Sequence, residues 1–469
     1  MNSFIVTAEK LLYGGDALAR RDDGKAVFIP YAVPGDRLLV RPRAEKKNYI
    51  RAEILEILTP GAGRVTPACP HSGKCGGCSW QQIDYPRQVE AKRRIVEELF
   101  HHRFPETRQT AIAMQPCSRP FGYRSRARVQ IQLRITNYES ITNSEFRITG
   151  GCSSRARVRR QIPNSTPDGR RNSGSLPALQ NETPLQGVFS LKTPHSSFRT
   201  PHSRIAVGFF RGGSHIVEDV ESCPLFQPRL NDALRELRRI SPGRFKTNGN
   251  ADIQEIDIAC SEEDGKWAIA NHIGGEEALL RRRVGDFTYN IAAGTFFQAN
   301  DFMIGALVSH VMDCVSQSSG SALDLFSGVG LFSLPLARRF SAVTAVEYSR
   351  ESHELCTMNA AGAGIENLET VRADAAEWLN SQTSACFDCV VLDPPRAGAG
   401  PGVMEQASRL ASKEIVYVSC DPQTLVRDLE RLDMNRWRIV SVAGFDMFPQ
   451  TYHFETVVHL CRTARQNKL

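Results

Sequence analysis

The sequence predicts an α/β fold: a Rossmann-like, doubly wound, mostly parallel sheet in the C-terminal part, preceded by a small β-barrel and a cysteine-bearing central domain. Three observations carry this expectation. From about residue 290 the apolar runs ALDLF, AVTAVE, LETVRAD, CVVLD and IVYVS alternate with helical stretches, the pattern of parallel strands joined by crossover helices. Residues 1–60 hold short strand-like runs separated by turn sequences. Between the two lies CPHSGKCGGCSW (69–80), a glycine-rich loop with three thiols.

The N-terminal strands are expected at Phe4–Ala8, Lys25–Ile29, Arg37–Val40 and Ile50–Ile57. Tyr13-Gly14-Gly15-Asp16, Val33-Pro34-Gly35-Asp36 and Thr59-Pro60-Gly61 break them. Closely spaced strands with basic loops fit an oligonucleotide-binding type of barrel. After the cysteine loop, EAKRRIVEELFHH (90–102) places Ile95, Val96, Leu99 and Phe100 on one helical stripe. Residues 135–203 are rich in Ser, Thr, Pro, Asn and Arg without apolar periodicity and read as a disordered insertion. RIAVGFF (204–210) resumes a strand, expected to pair with 126–133 across that insertion. Three domains follow: 1–62, 63–290 and 291–469.

With 41% hydrophobic and 23% charged residues, the chain has the composition of a soluble globular protein. No apolar run has membrane-spanning length, and the N-terminus lacks a basic segment followed by a long apolar core, so a cytoplasmic protein, a monomer, is expected. Thirteen cysteines without a secretion signal point away from a disulfide framework and toward metal ligation, catalysis or core packing. The net charge is +7, and basic residues gather in RPRAEKKNYIR (41–51), RSRARV (124–129), RARVRR (155–160) and RRR (281–283). Such runs are often only solvated faces; four of them suit an extended phosphate-binding surface and hence a nucleic acid.

Cys69, Cys75 and Cys78 are spaced x5 and x2, with Gly73, Gly76 and Gly77 to let the backbone curl around an ion or cluster. Cys223, before a proline in VESCPLF (220–226), is the preferred fourth ligand, with Cys117 and Cys152 as competitors. Structural zinc is one reading, but its paired ligands favour shorter spacing, so an iron–sulfur cluster is preferred. Cys386 and Cys389 flank a strand start and read as packing.

In the sheet region, DLFSGVG (324–330) ends a strand and opens a helix, and Gly328 and Gly330 permit close approach of a ligand to the backbone. Glu347 closes the next strand, where a carboxylate accepts from ribose hydroxyls, and Asp374 closes the third, beside an adenine. There is no phosphate-binding GxGxxG in this turn. S-adenosylmethionine, which has no pyrophosphate, fits better than a dinucleotide.

The chemistry concentrates further on. Asp393 in LDPPRAG (392–398) lies at the tip of the fourth strand, in an acidic Pro-Pro motif that holds planar bases. Cys420 in IVYVSCDPQT (415–424) ends the fifth, and Asp421-Pro422 turns the chain there. Glu455 in YHFET (452–456) adds a carboxylate. Free cysteine is usually a small core hydrophobe. Here it is accompanied by a polar orienter and a base. Carbon-5 of uracil is too weak a nucleophile to take a methyl group from a sulfonium, unless a thiolate first adds to carbon-6 and a base later removes the carbon-5 proton.

Together SCDP, LDPPRAG, HFE, DLFSGVG and the Cys-x5-Cys-x2-Cys loop resemble the RNA uracil-5-methyltransferases over nearly the whole chain apart from 135–203. The N-terminal barrel resembles the TRAM domain of the ribosomal members. The resemblance implies S-adenosylmethionine as donor, RNA as partner and 23S ribosomal RNA as substrate, with the transfer RNA T-loop as the alternative. An RNA-binding protein with a vestigial methyltransferase domain is the non-enzymatic alternative, and amine methylation through the Asp-Pro-Pro motif a further one. It implies Cys420 as nucleophile, Glu455 as proton-abstracting base, Asp393 lining donor and base, and Gln298, Phe326, Glu347 and Asp374 at the donor. It also implies a [4Fe-4S] cluster on Cys69, Cys75, Cys78 and Cys223. Ser327 and Leu331 depart from the family's commoner Cys and Asn, and Leu331 offers no polar contact to a donor.

Overall fold

The computed structural model describes residues 2–134, 204–239, 253–270, 279–316, 319–383 and 386–463. The proposed insertion at 135–203, with Cys152 and the basic run 155–160, lies outside the described residues.

Five strands, β1 (Phe4–Leu11), β2 (Ala17–Arg20), β3 (Ala26–Ile29), β4 (Arg37–Glu45) and β5 (Tyr49–Thr59), close a barrel in the order β1-β2-β3-β5-β4. Alternating residues Val6, Ala8, Ala17, Ala19, Val27, Ile29, Leu38, Val40 and Ile50 fill it. The short β2, built on two alanines, has too little apolar contrast to be seen in the sequence. Asp36 fastens the barrel's end: it accepts from Val33 N at 2.7 Å and Gly61 N at 2.8 Å and pairs with Arg64. Burial alone would raise its pKa; these donors outweigh it and leave the carboxyl below its ordinary value.

Helix α1 (Tyr85–Arg103) is capped by Asp84, whose side chain accepts from Arg87 N, and has Pro86 in its first turn. After β6 (Ala113–Gln115) comes a central five-stranded sheet of β7 (Arg126–Arg134), β8 (Arg204–Phe210), β9 (Val217–Asp219), β10 (Ile253–Ser261) and β11 (Lys266–Ile269), in the order β11-β10-β7-β8-β9. The expected pairing of 204–210 with 126–133 is thus present. Helix α2 (Pro228–Arg239) covers this sheet with Leu230, Ala233, Leu234 and Leu237. A hairpin of β12 (Leu280–Val284) and β13 (Phe287–Ile291), followed by α3 (Ile304–Cys314), leads to the main sheet.

That sheet contains β14 (Ser321–Leu325), β15 (Ala342–Glu347), β16 (Leu368–Arg372), β17 (Phe387–Leu392), β18 (Ala411–Ser419), β19 (Trp437–Phe445) and β20 (Glu455–Arg462). Its helices are α4 (Ser333–Ala337), α5 (Arg350–Gly362), α6 (Ala375–Ser381), α7 (Val403–Leu410) and α8 (Pro422–Leu429). The order is β16-β15-β14-β17-β18-β20-β19-β6, with β14 to β18 parallel and β20 antiparallel to both its neighbours. The strand order reverses between β14 and β17, and the crevice at such a switch point is where open α/β sheets bind ligands. Cys389 is buried in β17, as packing, while Cys386 just before it is exposed.

Candidate active site

The glycine turn after β14 supplies one wall. Phe326 has φ +62°, Gly328 +56° and Gly330 +92°. A Cβ on Gly330 would lie 2.8 Å from Leu334 Cδ1 and 2.9 Å from Cys356 Sγ, so only glycine fits there. Glu347, at the end of β15, accepts from Gly328 N at 2.8 Å and from Ser349 N at 2.7 Å, which orients its carboxylate against the turn. Asp374 caps α6 by accepting from Ala376 N and Glu377 N. Asp324 is wholly buried and accepts from Ser333 Oγ; burial raises its pKa to about 7. Leu331 is buried in the apolar core with Val329 and Phe332, so its lack of polar groups fits where it sits. Ser327 is buried too, its hydroxyl unpartnered among the described residues.

The second wall comes from the carboxyl ends of β17 and β18 and the start of β20. Asp393 follows β17 directly, and the buried Gln298 hydrogen-bonds to it. Cys420 follows β18, and α8 begins two residues later under an Asp421 cap that accepts from Gln423 N and Thr424 N. The antiparallel register pairs Ser419 with Thr456, which brings Cys420 level with Glu455. The expected trio is therefore assembled in one place.

Burial pushes the Cys420 thiol up to about 12; Glu455 and Asp393 add to the rise, while Arg396 opposes it and hydrogen-bonds to the thiol. Glu455 is 2% exposed, and its Oε2 has no hydrogen-bond partner among the described residues. Burial raises its pKa well above the carboxylate range, Asp393 reinforces this, and Arg396 counters it. Asp393 is raised to about 7, by burial first and then by Asp324.

Three residues at this site were missed in the sequence. Arg396 Nη2 lies 2.8 Å from His453 Nδ1, and burial, then Arg396, depresses the His453 pKa to about 3, so the imidazole stays neutral. Tyr13, from the barrel, reaches the backbone oxygen of Cys420 at 3.5 Å and packs edge-on against Tyr452 and Phe454. The DPPR and YHFE strings contain Arg396 and His453; nothing local announces Tyr13.

The segment 446–454 leading to Glu455 is strapped from below. Lys92 on α1 is fully buried, 2.6 Å from Asp446 Oδ1 and 3.1 Å from the Phe448 carbonyl. Gln88 exchanges two hydrogen bonds with Gln450, which holds φ +69°. Trp80 N donates to Gln450 O at 3.1 Å, and its indole donates to Gly15 O at 3.0 Å.

Elsewhere, Cys69, Cys75, Cys78 and Cys223 line a single cavity with Arg124 and Phe209. Burial raises the thiols of Cys75 to about 11 and Cys223 to about 12, and their neighbouring sulfurs add to both. A Cβ on Gly76 would lie 2.9 Å from Phe210 O, so the loop follows the sheet edge only with glycine there. Cys117 is elsewhere, its thiol against Arg119 O and Asn300. Of the basic runs, Arg282 is buried and paired with Asp301, and Arg126 donates inward to Ala293 O at 2.9 Å; these two brace the fold. Arg41 and Arg43 are exposed on the barrel and share Glu53.

A family model described as tRNA (Uracil-5-)-methyltransferase matches residues 276–463. An uncharacterised RNA methyltransferase of Thermotoga maritima is 30% identical over 462 residues, 98% of this chain and 99% of the relative. A 23S rRNA (uracil(1939)-C(5))-methyltransferase of Alkalilimnicola ehrlichii is 27% identical, over 98% of this chain and 97% of its own. The crystal structure of the Pyrococcus abyssi tRNA (uracil-54, C5)-methyltransferase with S-adenosyl-L-homocysteine shares the fold, with TM-score 0.65 and 20% identity over 97% of this chain and 100% of that one.

Proposed function

Because the chain belongs to the S-adenosylmethionine-dependent RNA (uracil-5-)-methyltransferases, we propose that it methylates carbon-5 of a uridine in 23S ribosomal RNA through a covalent adduct on Cys420. The observation that carries this reading is the meeting of Cys420, Glu455, Asp393 and Arg396 beside the glycine turn. The Cys420 sulfur adds to uracil carbon-6 as its thiolate, and the carbon-5=carbon-6 pair moves into an enolate at oxygen-4. Carbon-5 then takes the methyl carbon, the sulfonium bond breaks, and neutral S-adenosylhomocysteine leaves. The Glu455 carboxylate removes the carbon-5 proton, the double bond re-forms, and the Cys420 thiolate is expelled. Burial favours the protonated forms of both Cys420 and Glu455. Arg396 and the incoming sulfonium cation both favour the ionised forms that the steps require. Gln298, Phe326, Gly328, Gly330, Glu347, Asp374 and Asp393 form the donor pocket in this reading.

A uracil stacked in a helix cannot present carbon-6 to a half-buried thiol, so the target base must be splayed out of a loop. We assign RNA holding to the barrel, read as a TRAM-type domain (1–62), and to a central domain (63–290), with chemistry in 291–469. Ribosomal RNA is favoured by the near full-length likeness to enzymes named for it; the tRNA enzyme that shares the fold keeps the T-loop uridine as the second reading. The four thiols around one cavity, on a loop that tolerates only glycine at 76, suit a [4Fe-4S] cluster bracing the central domain. Iron in anaerobically purified protein supports that assignment, and colourless protein holding only zinc refutes it.

The deciding experiment supplies radiolabelled S-adenosylmethionine with unmodified ribosomal or transfer RNA and digests the product to nucleosides. Label in 5-methyluridine from 23S ribosomal RNA is expected. Label from transfer RNA alone replaces the substrate, and no 5-methyluridine from either overturns the proposal.

A further inference from the structure

A second group of chemistry-bearing side chains lies on the main sheet, away from the catalytic trio. The register pairs Glu414 on β18 with Cys461 on β20, and His459 stands two residues before Cys461. Side chains two apart on a strand share a face, so all three project to the same side. Their ligand atoms lie within 4.8 Å of one another. His459 Nε2 is 3.2 Å from Glu414 Oε2 and 3.5 Å from Cys461 Sγ. Tetrahedral zinc, with bonds of about 2.0–2.3 Å, has N···O and N···S edges of roughly 3.4 and 3.5 Å.

We propose that Glu414, His459 and Cys461 supply three ligands of a zinc site, with the fourth position left to solvent. Cys314, at the end of α3, is buried nearby. Its thiol is 3.8 Å from His310 Nε2, and His310 lines an open cavity with Asp313 and Phe445. Glu414 is 2% exposed and is oriented by Ser316, whose backbone N–H donates to Oε1 at 2.9 Å and whose hydroxyl donates to Oε2 at 3.3 Å. Such supporting donors fix a carboxylate ligand in place. The mixed oxygen, nitrogen and sulfur set suits zinc better than a hard cation. Glu414 lies six residues back along β18 from Cys420, roughly 20 Å at strand rise, so the reaction itself does not use this group.

The test is equilibrium dialysis of the full-length protein against zinc with a competing chelator. Wild type and His459→Gln are compared, each also in a Cys75→Ser/Cys78→Ser background that disables the cysteine loop. One zinc that binds at least about 100-fold more weakly in His459→Gln is expected, in both backgrounds. Zinc should also raise the melting temperature of wild type and leave that of His459→Gln unmoved. Glutamine can still donate to Glu414, so the variant keeps the hydrogen bond; Cys461→Ser serves if it does not fold. Equal zinc affinity in wild type and both variants, or a His459-dependent zinc that vanishes with the loop cysteines, overturns the proposal.

Discussion

At the scale of single residues, the site gathers carboxyls whose pKa values burial pushes upward. Asp393 and Asp324 are each raised to about 7 and Glu455 well above the ordinary carboxylate range, while the Arg396 guanidinium opposes the rise at Glu455. A sulfonium placed beside Asp393 lowers these values, so protons leave as the donor binds. Between pH 6 and 8, calorimetry in buffers of different ionisation enthalpy should show proton release with S-adenosylmethionine. Release should be smaller with S-adenosylhomocysteine, whose sulfur is neutral; equal release for the two would contradict this placement. The two residues proposed as catalytic are tested separately. Cys420→Ala should lose methyl transfer by at least about 10⁴-fold and form no adduct with RNA carrying 5-fluorouridine at the target. Glu455→Gln should still add to uracil and transfer the methyl group, but it cannot remove the carbon-5 proton. A methylated protein–RNA adduct should therefore accumulate on denaturing gels, and its absence would remove Glu455 from the role of base.

At the scale of elements, the turn after β14 and the segment before β20 do the positioning. Gly330→Ala places a Cβ in contact with Leu334 and Cys356 at φ +92°, a strain of about 1–3 kcal/mol that should weaken donor binding about tenfold or more. Lys92→Met leaves Asp446 buried and unpaired, and should lower stability in urea by about 3–5 kcal/mol. Lys92→Met combined with Asp446→Leu should recover most of that loss; if it does not, the pair is not what Lys92 contributes. These elements also show what the sequence made legible. The parallel strands and the glycine turn were readable because each is a continuous apolar run ended by its own functional residue, as with Asp393 after CVVL and Cys420 after IVYVS. The order in which β20, β19 and β6 complete the sheet was not, because antiparallel register depends on long-range pairing. Gln88 and Lys92 were hidden for a related reason: on a helix surface they look solvated, and only the fold sets Gln450 and Asp446 against them.

At the scale of the whole molecule, the barrel is more than a tether for RNA. Its interior residues share one apolar core with Trp80, α1 and one face of the main sheet. Its Tyr13–Asp16 turn touches the catalytic segment directly. Tyr13 packs on Tyr452 and Phe454 and reaches the backbone oxygen of Cys420, next to Asp421, which caps the following helix. A Cβ on Gly15 would meet Tyr452 at 3.0 Å. A ligand held on the barrel would thus bear on the thiol and on the strand that begins with Glu455. If the barrel only raised the local concentration of RNA, Tyr13→Ala would leave kcat unchanged. Loss of the ring contacts instead loosens the Cys420 turn and the 452–454 segment, and misplacement of reacting groups costs rate more than binding. We therefore expect Tyr13→Ala to fold, to bind RNA within about twofold of wild type, and to turn over about tenfold more slowly. A raised KM for RNA with unchanged kcat would assign the barrel to capture alone.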